Sequence, residues 1–87
     1  MSDRAEFEAA RSRVENLTTK PSNEELLKLY GLYKQVTEGD NTQEAPTGFD
    51  FKGIAKHNAW MDQSGKSEEA AAAEYVELVN QLVEQYG

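Results

Sequence analysis

The sequence contains no cysteine. A disulfide framework and a thiolate metal site are therefore both excluded, and nothing in the chain calls for an oxidising compartment. Long apolar runs are also missing. No stretch approaches the roughly 18 consecutive apolar residues of a membrane span, and the opening M-S-D-R-A-E-F-E lacks the apolar core of a secretion signal. These absences predict a soluble, cytoplasmic protein with no stable membrane insertion. Asn16-Leu17-Thr18 matches a glycosylation acceptor, and is discounted for the same reason. Base is in short supply: 9 Lys and Arg against 16 Asp and Glu leave a net charge of −7, which argues against bulk binding to nucleic acid or anionic membranes.

The raw material for catalysis is thin. His57 is the single histidine and has no second His or Cys to complete a metal site. No serine lies near it in sequence to suggest a dyad, so it reads as a surface or site-edge residue. Walker and Rossmann glycine patterns do not occur. An EF-hand reading of the segment from Asp40 fails, because Ala45 stands where the loop glycine is required and Phe51 where the closing glutamate is. The expectation is a non-enzyme with no catalytic residue, no metal and no cofactor.

Proline and glycine total only 2 and 6 of 87 residues, which suits helices. Phe7, Ala10, Val14 and Leu17 recur at steps of three and four, so a first amphipathic helix is expected from roughly Asp3 to Leu17. Ser22 followed by Glu25 is a capping-box pattern that starts a second helix at Asn23. Its wide apolar face is Leu26, Leu27, Leu29, Tyr30, Tyr33 and Val36, and Gly39 ends it. Asp40 to Phe49 has no period and is a loop. A third helix runs from Phe51 to Met61 with Asp50 as N-cap. Ser67 caps a long fourth helix, with Ala72, Tyr75, Val76, Val79, Leu82, Val83 and Tyr86 on one face. Its acidic residues read as a solvated face.

Residues 1–87 are thus expected to form a single domain, an all-α four-helix bundle. Short connections make helices one and two, and three and four, antiparallel neighbours. The loop between helices two and three, about ten residues, can extend roughly 33 Å, more than the roughly 24 Å of a sixteen-residue helix. Helix three can therefore run parallel to helix two, giving an up-down-down-up order.

Tyr30, Tyr33 and Lys34 fall within roughly a quarter of the circumference of helix two, at about 100° per residue. Spacing alone leaves two readings open: a core stripe, or a platform for a flat ring and an anion. Lys52 and Lys56 share a face of helix three and could converge with Lys34 if helices two and three pack side by side. Lysines with nearby tyrosine rings suit a phosphate attached to a planar base, because ammonium groups pair with the phosphate while the ring stacks.

Four segments, L-Y-G-L-Y-K-Q-V-T-E-G-D, D-F-K-G-I-A-K-H-N-A-W, E-Y-V-E-L-V and the closing Q-Y-G, together resemble the acyl-CoA-binding proteins. The resemblance runs without gaps over nearly the whole chain. It implies the up-down-down-up fold and a non-catalytic, monomeric carrier of long-chain fatty acyl-CoA. Carried over by position, it implies that Tyr30, Lys34 and Lys56 hold the adenine and 3′-phosphate end of CoA, with Tyr75 closing on the nucleotide. Tyr33 would line the path of the pantetheine and acyl chain with Leu27 beside it, and Lys52 would be a secondary phosphate contact.

Three positions depart from the family pattern. His57 stands where a tryptophan is common, Glu15 where a basic residue is frequent, and Ala45-Pro46-Thr47 in place of R-P-G. Arg11 or Arg13 is expected to replace the missing helix-one charge. The departures keep a second reading in view, a helical protein-interaction module with a weakened or lost ligand site. An acyl-CoA hydrolase or transferase lacks a nucleophile and base in sequence.

Overall fold

The structure is a computed structural model that describes residues 3–86. Met1 and Ser2 of the opening segment and Gly87 of the closing Q-Y-G lie outside the described residues. Four helices follow one another: α1 Asp3–Glu15, α2 Asn23–Glu38, α3 Phe51–Met61 and α4 Glu68–Tyr86.

The helix ends lie where the capping residues put them, with one exception. Ser22 Oγ accepts from Glu25 N at 3.1 Å while Glu25 Oε1 accepts from Ser22 N at 2.9 Å, a complete capping box on α2. Gly39 closes α2 at φ 81°, a left-handed φ that favours glycine, and donates its N–H to Gln35 O. Asp50 Oδ1 accepts from Gly53 N and Ser67 Oγ from Ala70 N, capping α3 and α4. The exception is α1, which stops at Glu15 rather than Leu17. Asn16 N and Leu17 N donate three residues back, to Arg13 O and Val14 O, and the Asn16 side chain donates to Ser12 O. The last turn tightens and the helix ends there, while Leu17 still packs on the core.

Contacts along the helices give their directions. Arg4 meets Glu68, Phe7 meets Tyr75 and Arg13 meets Asn80, so α1 and α4 run parallel. Glu25 meets Tyr86 at one end of α2 and Gln35 reaches Lys66 at the other, so α2 is antiparallel to α4. Lys56 lies over Tyr30, and Lys34 over Trp60, so α3 is parallel to α2. The order is up-down-down-up.

The antiparallel sense expected across the short loops is present, but the packed pairs are different ones: α1 with α4, α2 with α3, and α2 with α4. Between α1 and α2 it is long side chains that meet, with the Phe7 ring 6.1 Å from that of Tyr33. Splayed backbones leave room between them, and this room becomes part of the site.

The core is Phe7, Leu32, Val79 and Leu82 with their neighbours. The buried stripe of α2 is Leu29, Leu32 and Val36; Tyr30 and Tyr33 are half-buried beside it. The expected face omitted Leu32 and was therefore rotated toward the tyrosines. Gly31 lies where α2 crosses the backbone of α3 at Ala59 and Trp60. Gln35, only 2% exposed, donates to Asp40 Oδ1 at 2.8 Å and Lys66 O at 2.9 Å. With the Trp60 indole N–H on Gly39 O at 2.7 Å, it pins the end of α2 to the α3–α4 half of the bundle.

Candidate functional site

Tyr30 sits where three cavities meet. A cavity of about 440 Å³ opens between α1, α2 and α4, lined by Arg11, Val14, Leu26, Tyr30, Tyr33 and Tyr75 among others. A second, of about 480 Å³, runs between the α1–α2 connection, α2 and α3. Leu26, Leu27, Phe51 and Ala55 give it apolar walls, and Lys20, Lys52 and Lys56 give it cations. A third, about 150 Å³, lies under the long loop between Tyr30, Pro46, Lys56, His57 and Trp60. The two larger volumes fall within the roughly 300–1,000 Å³ usual for small-molecule sites.

The first cavity is aromatic. Tyr75 is 4% exposed and meets the Phe7 ring edge-on at 4.8 Å. Burial raises the pKa of its phenol, with Arg11 pulling the other way, so the hydroxyl is neutral and available as a hydrogen-bond donor. The Arg11 guanidinium lies 4.6 Å over the Tyr33 ring, a cation–π arrangement that holds the charge against the cavity wall. A flat, polar ring suits such a chamber.

The second cavity has a different chemistry. Its leucine and phenylalanine walls suit an alkyl chain, and its lysines suit anionic oxygens. Lys56 is exposed and its Nζ lies 5.2 Å from the Tyr30 ring centre, at the junction with the aromatic chamber. An anion bound at that junction would meet both the ammonium and the Tyr30 phenol.

Several expected groupings change. Lys34 lines none of the three cavities: it pairs with Glu38 and lies 4.9 Å over the Trp60 ring. Hydrogen bonding to Glu38 raises its pKa against the opposing effect of burial. The lysines that do converge are Lys52 and Lys56, with Lys20, which the sequence reading missed because only the fold brings the α1–α2 connection beside α3. The family resemblance implies a place for Tyr33 beside Leu27 on the acyl path. In the structure it faces Tyr75 and Arg11 in the aromatic chamber, while Leu27 lies in the other cavity.

Of the two arginines proposed to replace the helix-one charge, Arg11 lies in the chamber beside Glu15, and Arg13 is spent on Asn80 Oδ1 at 2.8 Å. His57 Nδ1 is 3.2 Å from Asn41 Nδ2, which also donates to His57 O, so the ring edges the third cavity as part of the loop anchor. Phe51 and Leu26 were also missed as wall residues. The signal for Phe51 was an aromatic at the first position of a helix, outside its apolar face. Among the described residues no cluster of His, Asp and Glu could hold a metal ion, and no helix is long and apolar enough to cross a membrane.

Comparison with known proteins bears directly on this arrangement. Residues 4–79 match the family described as Acyl CoA binding protein. The chain is 49% identical over 81 residues to acyl-CoA-binding protein homolog 1 of Caenorhabditis elegans, covering 93% of this chain and 94% of that protein. It is 50% identical over 80 residues to the acyl-CoA-binding protein of Saccharomyces cerevisiae, covering 92% of each. The crystal structure of Oryza sativa acyl-CoA-binding protein 2 superimposes with a TM-score of 0.91 at 42% identity, over 97% of this chain and 93% of that one. With a four-helix fold in common and identity of this order over nearly its whole length, the chain belongs to the acyl-CoA-binding protein family.

Proposed function

We propose that the chain is a single, monomeric domain that binds long-chain fatty acyl-CoA thioesters and serves as a cytoplasmic carrier and pool former rather than as an enzyme. The observation that carries this reading is the junction at Tyr30 of an aromatic chamber with a lysine-rimmed apolar cavity. A ligand that is planar and polar at one end, phosphorylated in the middle and alkyl at the other matches that sequence of environments. Tyr33, Tyr75 and Arg11 take the adenine. Tyr30 and Lys56 take the 3′-phosphate, with Lys34 one turn away along α2 and Lys52 and Lys20 as further cations. Leu26, Leu27 and Phe51 take the acyl chain. His57 borders the nucleotide through the third cavity.

The magnitudes are sufficient. Each charge-assisted hydrogen bond to phosphate contributes about 1.5–3 kcal/mol, and each buried methylene about 0.8 kcal/mol before ordering costs. Affinity therefore depends on both ends of the ligand and rises with chain length. Titration calorimetry with palmitoyl-CoA and with free CoA tests this. Tight binding of the first and weak binding of the second is the expected result; no heat with acyl-CoA of any chain length would eliminate the proposal in favour of a ligand-free interaction module.

A further inference from the structure

A fourth cavity, of about 550 Å³, lies between α2 and α3 apart from the three that meet at Tyr30. Leu27 and Ala55 line both it and the lysine-rimmed cavity, so the two adjoin across one pair of side chains. From Ala55 this groove follows α3 to Asp62, seven residues or about 10 Å of helix. Leu27, Ala55 and Ala59 give it an apolar wall. Asn58, Asp62 and Gln63 bring polar groups to it, the last two at the end away from Ala55.

Gln63 is the fixed point of that end. It is 7% exposed, and the turn after α3 holds its backbone, with its N–H on Trp60 O at 3.0 Å and its carbonyl accepting from Lys66 N at 3.2 Å. Its side-chain oxygen accepts from Lys66 Nζ, which Glu74 anchors in turn at 2.8 Å. An ammonium can only donate, so the amide oxygen must face Lys66. The amide nitrogen, which donates to no group among the described residues, is left as the free donor.

We infer that this groove is a distal subsite for the polar end of a very long, ω-hydroxylated acyl chain. It extends the ligand path of the proposed function, on which the inference rests: the chain leaves the lysine-rimmed cavity between Leu27 and Ala55 and ends beside Gln63. A bare methyl gains nothing from a buried amide donor. A hydroxyl accepts from Gln63 and donates to the Asn58 amide oxygen or the Asp62 carboxylate, so neither of its capacities is wasted. A carboxylate at the chain end meets Glu24 and Asp62 with only Lys28 to offset them, so the groove discriminates against a diacid.

Titration calorimetry with docosanoyl-CoA and with its ω-hydroxy and ω-carboxy derivatives tests the subsite, with palmitoyl-CoA as the reference. The hydroxy derivative should bind about fivefold tighter than docosanoyl-CoA, the worth of one hydrogen bond, and the carboxy derivative more weakly than the hydroxy one. Gln63→Leu should abolish the hydroxyl preference. Asn58→Ala, at an exposed position where the fold is safe, should reduce it about twofold. Both variants should bind palmitoyl-CoA as the parent does. Equal affinity of the parent for docosanoyl-CoA and its hydroxy derivative overturns the subsite, as does a preference that survives both substitutions. So does tighter binding of the carboxy derivative, which would make Lys28 the reader of the chain end. Palmitoyl-CoA judges the head group and the first apolar cavity alone. Its failure to bind rejects the proposed function, whereas its binding without a hydroxyl preference rejects only the subsite.

Discussion

Gly31→Ala is a severe perturbation for a single methyl group. A Cβ at this position would lie 2.7 Å from Ala59 C and 3.3 Å from Trp60 N, and closer still to Ala59 O. All three are backbone atoms of α3, so no side chain can turn aside. Normal contact requires α2 and α3 to part by about 1 Å, and overpacking of this kind costs about 1–3 kcal/mol. The upper end applies because the obstacle is a helix backbone. Alanine recovers about 1 kcal/mol of intrinsic helix propensity over glycine, leaving a net loss of about 2 kcal/mol. For a domain of this size that is a fall of about 10 °C in Tm, or about 1 M in the urea midpoint. Ligand binding should suffer as well, because Tyr30 and Lys56 face each other across the same seam, one residue before Gly31 and three before Ala59. Thermal melts followed by circular dichroism and titration with palmitoyl-CoA measure the two effects. A G31A protein as stable as the parent, with unchanged affinity, would refute the close α2–α3 crossing and with it the placement of the lysine-rimmed cavity.

Other substitutions probe the site and its supports. Lys56→Ala should weaken palmitoyl-CoA binding about ten- to a hundredfold, the value of a charge-assisted hydrogen bond, with helicity unchanged because Lys56 is exposed; loss of helicity would mean that its role is structural. Asp40 accepts from Gly65 N and the Gln35 side chain, and these bonds hold its carboxyl below the usual range; the Ser22 N–H and the Tyr86 hydroxyl do the same for Glu25. A depressed folded pKa gives stability that is present above the unfolded value and lost as pH falls through the folded one, so urea midpoints should drop below about pH 4. Asp40→Asn should lower stability at neutral pH and flatten that acid limb, and an acid limb identical to the parent's would show that Asp40 is not among its causes. Trp60→Phe leaves Gly39 O without its indole donor and should cost about 1 kcal/mol in chemical denaturation.

Much of this was legible in the chain itself. Periodicity located four helices, and the cap residues Ser22, Gly39, Asp50 and Ser67 act within three or four residues of sequence, so their hydrogen bonds appear where the pattern puts them. Motif spacing pointed to the family. Helix rotation was less well determined: Leu32 and Gln35 are buried and Tyr30 and Tyr33 only half so, because which arc of α2 turns inward depends on packing against both α3 and α4.

What the amino-acid order determined by itself is therefore local: where helices begin and end, which residues are apolar, and which tyrosines and lysines could share a helical arc. Tertiary structure decided what those arcs face. It set α1 against α4 and left a chamber beside α2, moved Tyr33 to the company of Tyr75 and Arg11, and gave Lys34 to Glu38 and Trp60. It also brought Lys20 to the cations of α3 and left Phe49 and Phe51 in solvent. The physical reason is range: a cap or a helical period is satisfied within a few residues, whereas a cavity exists only where segments distant in sequence are held apart at fixed separation by the packing of everything else.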